Sequence, residues 1–268
     1  MDKKITVSII TVCYNHAKGL ERTMRSVLEQ TYDSMEYIVI DGGSTDGSRE
    51  LIESFQQHLA YWCSEPDGGI YDAMNKGIAK ATGDYCLFLN AGDYFCNKDV
   101  LLEVFGNRER AEDLIIGRQM YYNSKGKKSI AWNIREGDID ERFFWSNTLP
   151  HQATFIKTSL LNAIGGYDLH YKICADWAFW YMAVIEHRCS WCVIDIPISL
   201  MEKGGVSQNM EKCRTEMADF LMKHHPKMTQ EDWMNISERY SEALSFRRAR
   251  ASRLSEWLLR LAIRLNKQ

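Results

Sequence analysis

Unbroken apolar runs alternate with helix-spaced segments along roughly the first 90 residues. ITVSIITV, from Ile5, is mostly β-branched and apolar, and reads as a buried strand. AKGLERTMRSVLEQT repeats its apolar positions at Leu20, Met24, Val27 and Leu28, which is one face of a helix. MEYIVIDGGST is a second strand running into a Gly-rich turn, and DGSRELIESFQQ is a second helix. A short YWCSEPDGG segment, a helix through YDAMNKGIAKAT and the strand DYCLFL follow. Strands alternating with helices predict an α/β fold with a mostly parallel, Rossmann-like sheet flanked by helices. Ligands of such sheets bind beyond the carboxyl ends of the strands. Three polar clusters stand there: Tyr14-Asn15-His16, Asp41 to Asp46, and Asn90-Ala91-Gly92-Asp93.

Beyond residue 210 the pattern changes to helices with no strand between them. The expected organisation is therefore a catalytic domain over residues 1–210 and a helical extension over 211–268. In the last helix, Leu254, Trp257, Leu258, Leu261, Ala262 and Leu265 make one apolar face. Residues 247–268 carry seven basic side chains against Glu256, a local +6 on a chain of net charge −3. That end suits the anionic inner face of a membrane. The same face would also serve to pack on the catalytic domain or on a second copy of the chain in a homodimer.

Composition narrows the field without choosing a function. The chain has 268 residues, 45% of them hydrophobic and 26% charged, as expected of a globular protein with a substantial core. Its slight acidity offers no global basic field for nucleic acid. No apolar run approaches the roughly 18 residues of a membrane-spanning helix. The N-terminus enters a strand without the apolar region of a signal peptide, so the eight cysteines are expected to be reduced thiols in a cytoplasm. Cys189 and Cys192 form a C-x-x-C with no second ligand pair, and RCSWCVIDIPI is read as a buried strand with cysteines as small hydrophobes.

The first strand is followed by TVCYNH, not G-x-G-x-x-G, and there is no Walker lysine motif, which disfavours a nicotinamide-dependent oxidoreductase. Asp41 ends the second strand, where a carboxylate accepts hydrogen bonds from a ribose hydroxyl or a base N–H; DGGSTDG equally favours a plain Asx turn. Asp93 poses the same choice between ligand and turn acid.

Taken together, SIITVCYNHAKGLERTMRSVLEQTYDSMEYIVIDGGSTDGS, EPDGGIYDAMNKGIAKATGDYCLFLNAGD and PHQATFIKTSLLNAIGGYDLHYKICADWAFW resemble the family-2 glycosyltransferases of GT-A fold. They look most like the subgroup serving bacterial capsule, exopolysaccharide and O-antigen assembly. The resemblance implies a cytoplasmic, inverting transferase that moves one sugar from a nucleotide sugar, by family habit a UDP-sugar. The acceptor it implies is a saccharide or a polyprenyl-diphosphate-linked oligosaccharide. It implies that Thr11, Tyr14, Asn15, Asp41, Asp72, Asn75, Asn90 and His151 line the donor cleft, with Tyr14 near the nucleobase and Asp41 bonded to it. Asp93 would hold Mg2+ or Mn2+ on the diphosphate, where a hard cation stabilises the charge of the leaving group. Asn90 and Gly92 stand where the commoner turn has carboxylates, so Asp93 would be the only acid there.

An inverting displacement also needs a base opposite the leaving group. The family's base follows a G-G-[YF]-D element; here Gly165-Gly166-Tyr167-Asp168 leads to Asp176, preceded by Ala175 instead of glutamate. An acid at a helix start also serves as a simple N-terminal charge. The GGVS turn from Gly204 to Ser207 could be a lid, and Trp132, Trp145, Trp177 and Trp180 could stack on sugars or pack in the core. A non-catalytic nucleotide- or saccharide-binding module on the same fold is the alternative, and Asp176 argues against it.

Overall fold

The computed structural model of the chain describes residues 4–106, 109–122, 127–130, 134–145, 147–201, 210–225, 229, 231–233 and 235. The elements run β1 (Val7–Cys13), α1 (Ala17–Leu28), β2 (Met35–Asp41), α2 (Ser48–Phe55), β3 (Tyr61–Ser64), α3 (Ile70–Ile78) and β4 (Tyr85–Phe88). They continue with β5 (Tyr94–Phe95), α4 (Val100–Phe105), β6 (Leu114–Tyr122), β7 (Lys128–Ile130), β8 (Thr154–Lys157), α5 (Thr158–Ile164), α6 (Ala175–Tyr181), β9 (Trp191–Met201) and α7 (Met210–His224).

One sheet joins all the described strands in the order β3-β2-β1-β4-β8-β6-β9-β5, with β7 on β6. Strands β3, β2, β1 and β4 are parallel, while β8 pairs antiparallel to β4. Side chains alternate across the sheet. Ile10, Val12, Ile38 and Ile40 face a core built with α3, α5, α6 and α7, and Val7, Ile9 and Val39 face a second core built with α1, α2 and α4. Both faces of β1 are therefore covered, which is why its sequence is mostly apolar, with Ser8 and Thr11 buried among the aliphatic residues.

The chain winds outward from β1 through β2 to β3, then crosses back to place β4 on the other side of β1. Ligands of open sheets bind at such a reversal, here the carboxyl ends of β1 and β4, from which the turn at Tyr14 and the turn at Asn90–Asp93 emerge. Opposite them, α6 is pinned by α7. Its Ala218, Phe220 and Leu221 share a core with Trp177 and Tyr181, and the Glu216 carboxylate accepts the N–H groups of Lys172, Ile173 and Cys174 at 2.9–3.0 Å.

The RCSWCVIDIPI reading needs correction. Strand β9 is fully buried only at Ile198, Ser199 and Leu200, and its earlier residues are half-buried or exposed. Cys189 packs against one core and Cys192 against the other. Trp177 and Trp180 are core residues, with Trp177 Nε1 donating to the Phe144 carbonyl at 2.9 Å. Gly204 to Ser207, Trp132 and residues 247–268 lie outside the described residues. No described helix is long and apolar enough to cross a membrane.

The Gly165–Gly166 pair turns the chain toward α6 with φ of +92° and +77°. A Cβ on Gly166 would lie 2.5 Å from Asn75 Oδ1, whose amide clasps the Tyr167 backbone. Gly166→Ala is expected to lower stability by about 2 kcal/mol through backbone strain and loss of that clasp, measured by urea unfolding.

Candidate active site

Tyr14 leaves the end of β1 with its ring 68% exposed, a platform at the mouth of the crevice. Beneath it, Gly42 has no room for a side chain: a Cβ there would stand 2.6 Å from Asp67 Oδ2 and 3.3 Å from the Tyr14 ring. Asp67, after β3 and beside Tyr14, is a cleft carboxylate that the sequence reading passed over. Its signal was an acid before Gly-Gly at the end of a parallel strand.

Asn15 is a strap for the 42–46 loop. It adopts φ +48°, its N–H donates to Ser44 Oγ at 2.7 Å, and its Oδ1 accepts the Thr45 N–H at 2.9 Å. Asp41 is fully buried and accepts from the Ser44 N–H, the Ser44 hydroxyl and the Ser64 hydroxyl. These bonds make it the anchor of the turn from Gly42 to Asp46. Asp72 accepts the Gly68 N–H at 2.8 Å and shapes the turn that carries Asp67.

Two expected cleft residues are not free to bind. Thr11 lies inside β1, fully buried, with its hydroxyl bonded to the Leu89 carbonyl at 2.8 Å and 3.0 Å from the Tyr37 hydroxyl. It ties β1 to the end of β4 and does not face the crevice. Asn75 spends both ends of its amide on Tyr167, accepting its N–H and donating to its carbonyl, each at 2.8 Å. It fastens the turn before α6.

Asn90, His151, Tyr71 and Asp176, spread over the chain, meet in one hydrogen-bonded line. Asn90 Nδ2 lies 3.2 Å from His151 Nε2, and His151 Nδ1 lies 3.1 Å from Asp176 Oδ2. The amide is a donor, so Nε2 accepts and Nδ1 carries the ring hydrogen toward Asp176. On the other side, Tyr71 Oη stands 2.8 Å from Asp176 Oδ1 and 2.7 Å from the Ile173 carbonyl. The His151 and Asp176 side chains keep 16% and 15% exposure, so the carboxylate is sheltered yet reachable. Burial pushes the Asp176 pKa up, but donation from His151, Tyr71 and the Trp177 N–H outweighs it and leaves the group below the ordinary carboxylate value. Asp176 is thus ionised at neutral pH and can take a proton.

Asp93 sits at the tip of the turn that begins at Asn90, mostly buried, its N–H bonded to the Asn90 carbonyl at 2.9 Å and its own carbonyl accepting the Thr23 hydroxyl. Among the described residues no three His, Cys, Asp or Glu gather as a metal cluster. The turn nevertheless fits a hydrated divalent cation. Asn90 Oδ1 is a buried oxygen without a partner, suited to accept from a cation's water, and one carboxylate suffices where phosphate and water fill the other positions.

The glycosyl transferase family 2 model matches residues 8–186, a span containing every residue of this line and the Asp93 turn. The chain belongs to glycosyl transferase family 2. An uncharacterized glycosyltransferase of Mycobacterium tuberculosis is 37% identical over 206 residues, 71% of this chain and 75% of that protein. A PGL/p-HBAD biosynthesis glycosyltransferase of Mycobacterium bovis is 32% identical over 177 residues, 64% of this chain and 67% of that protein. Among solved structures, residues 1–349 of S. aureus TarS in complex with UDP superpose with a TM-score of 0.59 at 17% identity, covering 88% of this chain and 70% of that one. The mannosyltransferase PcManGT of Pyrobaculum calidifontis, in complex with GDP-Man and Mn2+, gives 0.61 at 17% identity over 89% of this chain and 70% of that one. The fold of this family 2 chain is accordingly GT-A.

Glu216 holds the approach to α6 from outside the matched span, its pKa lowered because the Ile173, Lys172 and Cys174 N–H groups outweigh the opposing effect of burial. Its folded pKa lies below its unfolded one, so its contribution is present at neutral pH and fades as pH falls through the carboxylate range. Glu216→Ala is expected to cost about 1–2 kcal/mol at pH 7 and progressively less toward pH 3, read from paired unfolding curves.

Proposed function

We propose that this transferase is a metal-dependent, inverting enzyme that moves a single sugar from a nucleotide sugar, a UDP-sugar by preference, to a saccharide or lipid-linked oligosaccharide. The observation that carries the reading is the ionised, half-sheltered carboxylate of Asp176, two hydrogen bonds from the turn that presents Asp93. An acceptor hydroxyl in the crevice would give its proton to Asp176 as its oxygen attacks the anomeric carbon. The bond from that carbon to the diphosphate breaks on the opposite face, and its electron pair leaves with the nucleoside diphosphate. When bound at Asp93, Mg2+ or Mn2+ supplies neutralisation of the leaving group's charge.

On the donor side, Tyr14 offers a stacking face and Asp67 an acceptor for base or ribose donors, with Asp41 anchoring the loop between them. Solved relatives with UDP, UDP-GlcNAc, or GDP-Man and Mn2+ support a nucleotide-sugar donor and a cation, and leave the base to be decided by binding. The basic stretch 247–268, which would lay the enzyme on an anionic membrane surface, favours a lipid-linked acceptor. Work in capsule, exopolysaccharide or O-antigen assembly, on the cytoplasmic side, is the setting we infer.

Thermal melting with UDP, GDP, dTDP and CMP, each with and without Mn2+, tests the donor half. A nucleotide at about 100 times its Kd adds roughly 2.7 kcal/mol, several degrees for a chain this size. UDP is expected to stabilise with Mn2+, and Asp93→Ala to remove the Mn2+-dependent part; a Mn2+-dependent shift retained by that variant contradicts the metal assignment. Asp176→Asn is expected to keep the UDP shift while donor turnover, followed as UDP release from a UDP-sugar panel, falls at least about 100-fold. Near-normal turnover in that variant would exclude Asp176 as the base.

A further inference from the structure

Tyr71 has one hydroxyl hydrogen and two acceptors within reach, Asp176 Oδ1 at 2.8 Å and the Ile173 carbonyl at 2.7 Å. It cannot donate to both at once. Beside an ionised Asp176 the hydrogen belongs on the carboxylate, where the bond is charge-assisted. A carboxylate held between two fixed donors is a reluctant base, however, because protonating Oδ1 would set an O–H against the Tyr71 O–H. The Ile173 carbonyl removes that conflict, since the hydroxyl can swing onto it and turn a lone pair toward Oδ1.

From this geometry we propose that Tyr71 is a rotor, a positioning residue whose hydroxyl donates to Asp176 while it is ionised and to the Ile173 carbonyl once Asp176 holds the acceptor's proton. The inference rests on Asp176 being the base. In the step, the acceptor O–H breaks, its proton forms an O–H bond at Asp176 Oδ1, and that O–H donates to Tyr71 Oη. The Tyr71 hydrogen moves from Oδ1 to the Ile173 oxygen by torsion alone, with no bond broken. Return of the proton to water after product leaves resets the hydroxyl.

The surroundings suit such a device. Tyr71 is buried and packs on Tyr167 with ring centroids 5.4 Å apart, which holds the ring while the hydroxyl turns. The Ile173 carbonyl is fixed because the Cys174 N–H of the same peptide unit is bonded to Glu216 at 3.0 Å. The other titratable groups facing Asp176 are His151 from the turn after Pro150, Tyr167 before α6, Cys174 on its own segment and Cys213 from α7, with Glu216 behind Cys174. Burial raises the Tyr167, Cys174 and Cys213 pKa values and keeps these groups neutral, so they do not compete for the proton.

Two measurements on the full chain test this, and neither needs a known acceptor. The first is carboxyl 13C NMR titration of Asp176, its signal identified by loss in Asp176→Asn, in wild type and Tyr71→Phe. The Phe substitution is expected to raise the Asp176 titration midpoint by about one pH unit while the UDP melting shift persists. An unchanged titration would show that Tyr71 does not donate to Asp176 and would overturn the proposal. The second is a neutron structure of Asp176→Asn, whose amide copies the donor and acceptor pattern of the protonated acid. The rotor predicts the amide nitrogen against Tyr71 Oη and the Tyr71 hydrogen on the Ile173 oxygen; the amide nitrogen against His151 overturns it. Full donor turnover in Asp176→Asn would instead remove the base assignment, whatever Tyr71 does.

Discussion

Placing the Asp176 charge among Tyr71, Tyr167 and Trp177 would cost several kcal/mol if its oxygens were left bare, and the structure around it follows from meeting that cost. His151 meets one oxygen and Tyr71 the other. Each donor needs its own support. Asn90 sets the tautomer of His151 from the turn after β4, and the Ile173 backbone that Tyr71 also reaches is held by Glu216 from α7. Elements from both halves of the chain are therefore committed to one carboxylate, which explains why the last described helix shares a core with α6.

The sheet supplies the second requirement, a crevice with fixed walls. Reversal of winding at β1 leaves the ends of β1 and β4 side by side, and Thr11 locks them through the Leu89 carbonyl. The Asn90–Asp93 turn consequently emerges at a set distance from Tyr14 and Asp67. One turn thereby carries Asp93 and passes a hydrogen bond inward through Asn90 to His151. That short link ties the Asp93 turn to Asp176.

Much of this was legible in the residues themselves. Continuous β-branched runs announced strands covered on both faces, and helix-spaced segments between them announced parallel pairing. Asp41, Asp93 and Asp176 stood out as candidates because position at a strand end or helix start is a sequence property. Side-chain allegiance is not. Thr11 and Asn75 stand near the crevice in the pattern, yet their polar groups are spent on the Leu89 carbonyl and the Tyr167 backbone, contacts 78 and 92 residues away in the chain. Tyr71 lies in the same YDAMN segment as Asp72 and Asn75, but its meaning depends on Asp176, 105 residues on. The burial of β9 was misjudged because an apolar strand reads the same in sequence whether half or wholly covered, while Cys189 and Cys192 do pack on the two cores as small hydrophobes.

Direct displacement of a nucleoside diphosphate, with Asp176 taking the proton, has a stereochemical signature. The decisive measurement is proton NMR of the sugar first formed when the enzyme turns over an α-linked UDP-sugar, recorded before mutarotation. The β anomer, whether released to water or joined to acceptor, is the predicted product of a single displacement assisted by Asp176. An α anomer at first appearance would mean retention, and would contradict the assignment of Asp176 as the base of an inverting reaction.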